Sequence, residues 1–197
     1  MLTLYYMKEL ISDIDENIKI KEKLKFENET IEKIILKIFK TLKSKNRVFI
    51  CGNGGSAADA QHIAAEFLVQ FKKNNKRKPY PVISLALDPS TLTACGNDLG
   101  FEYIYSRNLE ALSSKKDLLL LLSTSGNSQN LINAAKFSQK NNIFTIGLLG
   151  SKGGTLKKYC NISLIVDSND TARIQEAHIF IGHFIVKKVE NLLIETK

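Results

Sequence analysis

No two cysteines in this chain stand at a metal-binding or redox spacing. Cys51, Cys95 and Cys160 lie far apart beside apolar runs, so they read as reduced, partly buried thiols rather than a zinc cluster. Long apolar runs are missing as well, and none approaches the length that spans a bilayer, so no membrane association is expected. The first ten residues lack the basic, apolar, small-residue order of a secretion signal, which makes a cytoplasmic location the expectation. Acidic residues are in deficit, 20 against 28 lysines and arginines, for a formal net charge of +8. Much of that excess falls between Lys19 and Lys45 and in the run Lys72–Lys78. The run carries no aromatic residue on which a base could stack, so it reads as a solvated loop and no nucleic acid partner is expected.

What is present describes a folded chain. With 44% apolar residues in 197, one domain with a substantial core is the natural expectation. Residues 5–43 space apolar positions among charges (Leu10, Ile14, Ile18, then Ile31, Ile34, Ile35, Ile38, Phe39). This predicts two amphipathic helices with a break near 26–30. The first needs a packing surface, either on its own domain or on another subunit. From Arg47 onward short apolar runs alternate with helical patterns. Strands are predicted at 48–51, 82–87, 117–122, 143–148 and 162–166. Helices are predicted at 57–71, from 89 or 90 toward 95, at 100–113 and 129–140, and from 171 through 190. Nearly continuous apolar strands between helices predict an α/β three-layer sandwich: a five-stranded parallel sheet covered on both faces. Residues 1–45 form its N-terminal helical extension and 46–197 the sheet domain, the whole being a single unit without repeats.

Two turns stand out. Cys51 ends a strand and runs into Gly52-Asn53-Gly54-Gly55-Ser56, then into a helix. The turn has neither the Gly-Lys-Ser ending of a P-loop nor a G-x-G-x-x-G run. Its glycines still allow close backbone approach, and Ser56 can donate a hydroxyl hydrogen bond. The second turn, Ser123-Thr124-Ser125-Gly126-Asn127-Ser128, places four hydroxyls in six residues between a strand and a helix. Helix-start N–H groups with hydroxyls form a phosphate cradle that requires no lysine. In an open α/β sheet, turns at the carboxyl ends of strands serve one cleft.

Beside the first turn, His62 and Glu66 lie one helical turn apart, a spacing that suits a divalent metal, proton transfer or a plain helix pair. The last helix offers Gln175, Glu176, His178 and His183. Glu176 and His183, seven apart, align better than Gln175 and His183, which differ by about 80° around an ideal helix. His178 reads as capping an interaction or facing water, and Phe180, Ile181, Phe184 and Ile185 as the packed side. Asp98 can orient a sugar hydroxyl, assist proton transfer or cap the helix after Gly100. Asp170 and Thr171 read first as the start of the last helix, from which they can also line the cleft.

The run from Gly52 to Glu66 resembles phosphoheptose isomerases (sedoheptulose 7-phosphate isomerases) of the sugar isomerase (SIS) domain superfamily. The segments 92–98, 123–128 and 171–178 resemble the same family in the same order. The resemblance spans nearly the whole chain, with no substitution at the main motif positions. It implies an SIS fold and interconversion of D-sedoheptulose 7-phosphate with D-glycero-D-manno-heptose 7-phosphate through an enediol-type intermediate. Glu66 would be the base and His183 its acid–base partner. Ser56, Ser123, Thr124, Ser125 and Ser128 would hold the phosphate. Asn53, Gly54, Gly55, Asp98, Asp170, Thr171 and Gln175 would complete the substrate site. Some relatives bind Zn2+, which implies His62, Glu66, Gln175 and His183 as ligands here, overriding the helical preference for Glu176. A homotetramer with active sites at subunit boundaries, and a role in heptose synthesis for lipopolysaccharide or capsule, are implied too. The rival readings are a non-catalytic SIS-fold regulator that binds sugar phosphate or protein, and an isomerase of another sugar phosphate.

Overall fold

A computed structural model describes residues 2–73, 77–86 and 88–196, with side chains from Tyr6 onward. The middle of the basic run (74–76) and the end of the predicted second strand (Leu87) therefore lie outside the described residues. Helix α1 (Leu2–Lys23) passes through a 3₁₀ turn (Leu24–Glu27) into α2 (Asn28–Lys43). Then follow β1 (Val48–Cys51), α3 (Gly55–Leu68), β2 (Val82–Ser84), α4 (Pro89–Asp98) and α5 (Ile104–Leu112). The chain continues through β3 (Leu118–Ser123), α6 (Gln129–Lys140), β4 (Phe144–Gly150), β5 (Ile162–Val166) and α7 (Thr171–Glu195).

The five strands are parallel, in the order β2-β1-β3-β4-β5. Their side chains alternate between two cores, as the period-two geometry of a strand requires. Val48, Ile50, Leu118, Leu120 and Leu122 face α2, α3 and α7, whereas Phe49, Cys51, Leu119 and Leu121 face α4, α5 and α6. All six residues of β3 are buried, which explains why its leucines run without polar interruption. Each buried leucine contributes roughly 1.5–3 kcal/mol by leaving water. The sheet, its five strands and the helical extension match the expectation from sequence.

The strand order reverses between β1 and β3. Both predicted anion turns follow these two strands, so they flank the position where an open α/β sheet leaves a crevice at its carboxyl edge. Extension helices α1 and α2 lie over the face covered by α7, with Ile20, Leu24, Ile34, Ile35, Ile38 and Leu42 joining that core.

Some local expectations change. Phe180 and Phe184, read as packed, are exposed (47% and 37%), because α7 turns Ile181 and Ile185 to the sheet instead. His178 faces neither water nor a helix end but is fully buried. Neither ring nitrogen makes a hydrogen bond of good geometry, and the backbone of Leu149 compensates only weakly. Burial disfavours the imidazolium and pushes the ring down from 6.5 to about 4. A ring that is neutral in the fold takes up a proton on unfolding below pH 6.5, so its contribution is complete above that value and falls away as pH drops toward 4. The full loss is roughly 3 kcal/mol. Denaturant titrations at neutral pH and near pH 4.5 should show a stability difference that shrinks by most of that amount in His178→Leu. An undiminished difference would assign acid sensitivity to other groups.

Candidate active site

Helix α3 carries Asp59, His62 and Glu66 at positions i, i+3 and i+7, one stripe along its surface. Helix α7 runs against it at close range. A Cβ added to Gly182 would stand 2.5 Å from Ile63 Cδ1, so the glycine permits the helices' separation. The next residue, His183, consequently meets His62 with Nε2 to Nε2 at 2.8 Å and ring centroids 5.0 Å apart. Glu66 Oε1 lies 3.6 Å from His62 Nε2, and the Phe71 ring backs His183 at 5.9 Å. Two imidazole nitrogens this close share one proton, one ring donating and the other accepting, or both turn lone pairs toward a cation.

Gln175 approaches from near the N-terminal end of α7. Its amide rests against Gly55 so closely that a Cβ there would overlap it, and it lies beside Asp59, whose ionised form it favours. The structure thus brings together His62, Glu66, Gln175 and His183. It directs Glu176 elsewhere: that carboxylate accepts from Arg173 Nη2 at 2.8 Å and from Asn17 of α1. Helical angles favoured Glu176 because they treat α7 in isolation; the position of α3 selects the neighbouring residue.

Asp59 was missed by reading the sequence, although its spacing three residues before His62 was the available signal. It is 91% buried (9% exposed), and Oδ2 has no hydrogen-bond partner. Burial raises its pKa from the ordinary value, opposed by the Gln175 amide and by His62 and His183. Nitrogen and oxygen donors in this mixture suit zinc, and an orphaned buried carboxylate oxygen beside them fits a positive charge. Among the described residues no group of three or more His, Cys, Asp or Glu is already arranged to hold a metal, so side chains would have to rotate to close a ligand set.

The two turns are joined by a reciprocal amide pair. Asn53 Nδ2 donates to Asn130 Oδ1 (2.9 Å) and Asn130 Nδ2 to Asn53 Oδ1 (2.8 Å). Asn53 therefore braces the turns, and the buried Asn130 is a second member that sequence reading overlooked. Gly54, at φ 55°, precedes Gly55, which opens α3. Ser56 is buried, and its N–H donates to the Asn53 carbonyl. The Tyr105 hydroxyl donates to the Gly52 carbonyl and anchors this turn from α5.

In the second turn Ser123 Oγ accepts from Gly126 N (3.0 Å), and Ser125 Oγ from Asn127 N (3.2 Å). Ser128 stands at the N-cap of α6 without a side-chain capping bond, which leaves its hydroxyl for a ligand. Half-buried Thr124 lies between these positions. Asp170 caps α7 by accepting from Arg173 N at 3.0 Å, a bond that lowers its pKa, and Thr171 follows it, exposed. Asp98 ends α4 rather than capping the next helix, and it accepts from Asn97 Nδ2 at 2.8 Å. Among the described residues no hydrogen bond or ion pair joins Asp98 to the imidazole group.

A family model described as an SIS domain matches residues 14–150. The phosphoheptose isomerase of Campylobacter concisus is 51% identical over 150 residues, 76% of this chain and 78% of that protein. That of Nitratiruptor is 44% identical over 183 residues, 93% and 95% of the two chains. Among solved structures, a phosphoheptose isomerase from Francisella tularensis superposes with a TM-score of 0.90 at 31% identity, covering 94% of this chain and 98% of that one.

Gly126 (φ 66°) supports the second turn by close backbone approach, since a Cβ there would overlap the Gly153 carbonyl. Gly126→Ala should therefore lower stability by about 2 kcal/mol or more, a fall in Tm of roughly 4–8 °C for a chain this long. It should also weaken inorganic phosphate binding several-fold by 31P NMR. Unchanged melting and phosphate affinity would mean that the turn tolerates displacement and is not the cradle.

Proposed function

The chain belongs to the phosphoheptose isomerase family of SIS-domain proteins, and we propose that the group between α3 and α7 is where its chemistry takes place. The enzyme interconverts D-sedoheptulose 7-phosphate and D-glycero-D-manno-heptose 7-phosphate, an aldose–ketose isomerisation. The observation carrying the site assignment is the convergence of Glu66, His62, Gln175 and His183 beside two phosphate-suited turns at one edge of the sheet.

In this reading the phosphate is held at the Ser123–Ser128 turn, with the hydroxyl of Ser56, while Asn53, Gly54 and Gly55 form the wall opposite. Asp98, Asp170, Thr171 and Gln175 complete the sugar site. Glu66 removes a proton from C1 of the ketose and returns it to C2 of the enediol-type intermediate. His183 gives a proton to O2 and accepts one from O1, so protons balance. His62, in contact with His183, sets which of its ring nitrogens carries the proton.

Zn2+ would be held by His62, Glu66, Gln175 and His183, and when bound it polarises the oxygens on C1 and C2. A ring nitrogen of His183 that held a metal would not carry a proton at the same time, so ligation and proton transfer would exclude each other at that atom. The product feeds heptose synthesis for a surface polysaccharide. Three free thiols suit a reducing, cytoplasmic setting. No described helix is long and apolar enough to cross a membrane.

Homotetrameric assembly is supported by the exposed apolar stripe of α1 (Met7, Leu10, Ile11, Ile14, Ile18). An adjoining groove of ≈ 840 Å³ is walled in part by Phe180 and Phe184. The 1–45 extension would thus contribute to subunit contacts. Sedimentation should give about four times the 22.1 kDa chain mass for the wild type and a smaller species for Ile14→Asp. A monomeric wild type would sink the assembly reading.

Conversion of sedoheptulose 7-phosphate in D2O, followed by NMR, tests the reaction. The wild type should form the aldose with deuterium entering C2, and Glu66→Gln should lower kcat by at least about a thousandfold while retaining phosphate binding. Full activity in Glu66→Gln would overturn the base assignment. Absence of conversion with and without added zinc would favour another sugar phosphate or a binding protein. Loss of activity on chelation, restored by zinc, would assign the metal to the reaction.

A further inference from the structure

The C-terminal end of α3, one turn beyond His62, is closed by a side chain from outside both helices. Arg77 has a fully buried side chain. Its Nη2 donates to the Glu66 carbonyl at 2.7 Å, and its Nη1 to the carbonyls of Phe67 at 2.8 Å and Lys78 at 3.1 Å. The guanidinium lies over the Tyr80 ring, 4.9 Å from its centroid. On its remaining side Arg77 Nε stands 3.4 Å from Glu190 Oε1, whose side chain is 1% exposed. Glu190 Oε2 accepts in turn from the backbone N–H of Phe71 at 3.3 Å, and the Phe71 ring backs His183.

These contacts tie together the two elements that carry the reacting groups. The last carbonyls of a helix lack intrahelical partners, and a cation at that end also complements the macrodipole. Arg77 satisfies two successive carbonyls of this kind, one of them belonging to Glu66 itself. Glu190 follows His183 by seven residues, two turns along the same face of α7. A planar fork whose terminal nitrogens donate to three carbonyls, with Nε beside a carboxylate as an ion pair, fixes a distance and an angle, which a lysine ammonium cannot do. A buried ion pair adds little net stability, because desolvation of both charges offsets their attraction. Its contribution here lies in register.

We propose that Arg77, braced by Glu190, is a positioning residue that sets the Glu66 end of α3 against His183. The proposal rests on the isomerase site assigned above, with Arg77 itself touching no substrate.

The test compares Arg77→Lys with the double variant Arg77→Met/Glu190→Leu, which removes both charges and keeps an apolar filling. Steady-state isomerisation of sedoheptulose 7-phosphate is measured alongside melting and 13C NMR of labelled histidine rings. The chain has only three histidines, with the sheet-buried His178 as internal reference. In both variants kcat should fall at least tenfold with KM within about twofold, and the His62 and His183 ring signals should move while His178 stays fixed. The double variant takes these partners from the Glu66, Phe67 and Lys78 carbonyls and from the Phe71 N–H and should melt below the wild type, so kcat and ring signals are read well below its Tm, where both variants are folded. Wild-type kcat and unmoved His62 and His183 signals in a folded variant would overturn the proposal. If the wild type fails to convert the substrate yet those two signals move in Arg77→Lys, the reaction assignment falls and the positioning role stands.

Discussion

The contact on which this site depends is the close packing of α3 on α7 where Gly182 faces Ile63. Without a side chain at 182 the helices approach far enough for imidazoles from residues 121 positions apart to touch. A methyl group between them would act at the hinge of the whole constellation, because Asp59, His62 and Glu66 share one stripe and move together. On the same pair of helices Gln175 rests on Gly55, whereas Glu176 pairs with Arg173.

A second constraint comes from the sheet. Parallel strands place all their carboxyl ends on one edge, and the reversal between β1 and β3 opens that edge between two turns. The Asn53–Asn130 pair holds the turns to each other, and the approach of Gly126 to Gly153 holds the second turn to the loop after β4. Anion recognition therefore rests on backbone and hydroxyl groups fixed by the framework. Proton transfer rests on longer side chains carried by helices. Arg77 and Glu190 connect these helices beneath the cleft, in a place where charge contributes geometry more than stability.

Much of the architecture was legible before any fold was seen. Uninterrupted leucines at β3 announced a strand buried on both faces, and the Gly52–Ser56 and Ser123–Ser128 turns announced their positions by residue type. Local patterns were less reliable wherever a residue's partner is distant in sequence. Asn53 read as a substrate group, and its pairing with Asn130 had no local sign; Asp98 read as a possible cap, yet it closes a helix. Asp59 passed unnoticed because its spacing to His62, three residues on, marks only a shared helix face, and packing against α7 is what buries it beside His62 and Gln175. Arg77 lay inside what read as a solvated basic loop, and its burial required a carboxylate 113 residues further on.

Sequence alone determined the alternation of strands and helices, the burial of the sheet and the existence of two anion-suited turns. Those features follow from periodicity and turn chemistry, which act over a few residues. Tertiary structure decided which groups meet: His62 with His183, Gln175 rather than Glu176, and Arg77 with Glu190. Helical phase fixes only the direction in which a side chain leaves its own axis. Whether another side chain waits there depends on the separation of two axes, and Gly182, where an added Cβ would fall 2.5 Å from Ile63 Cδ1, is one point of close contact between them.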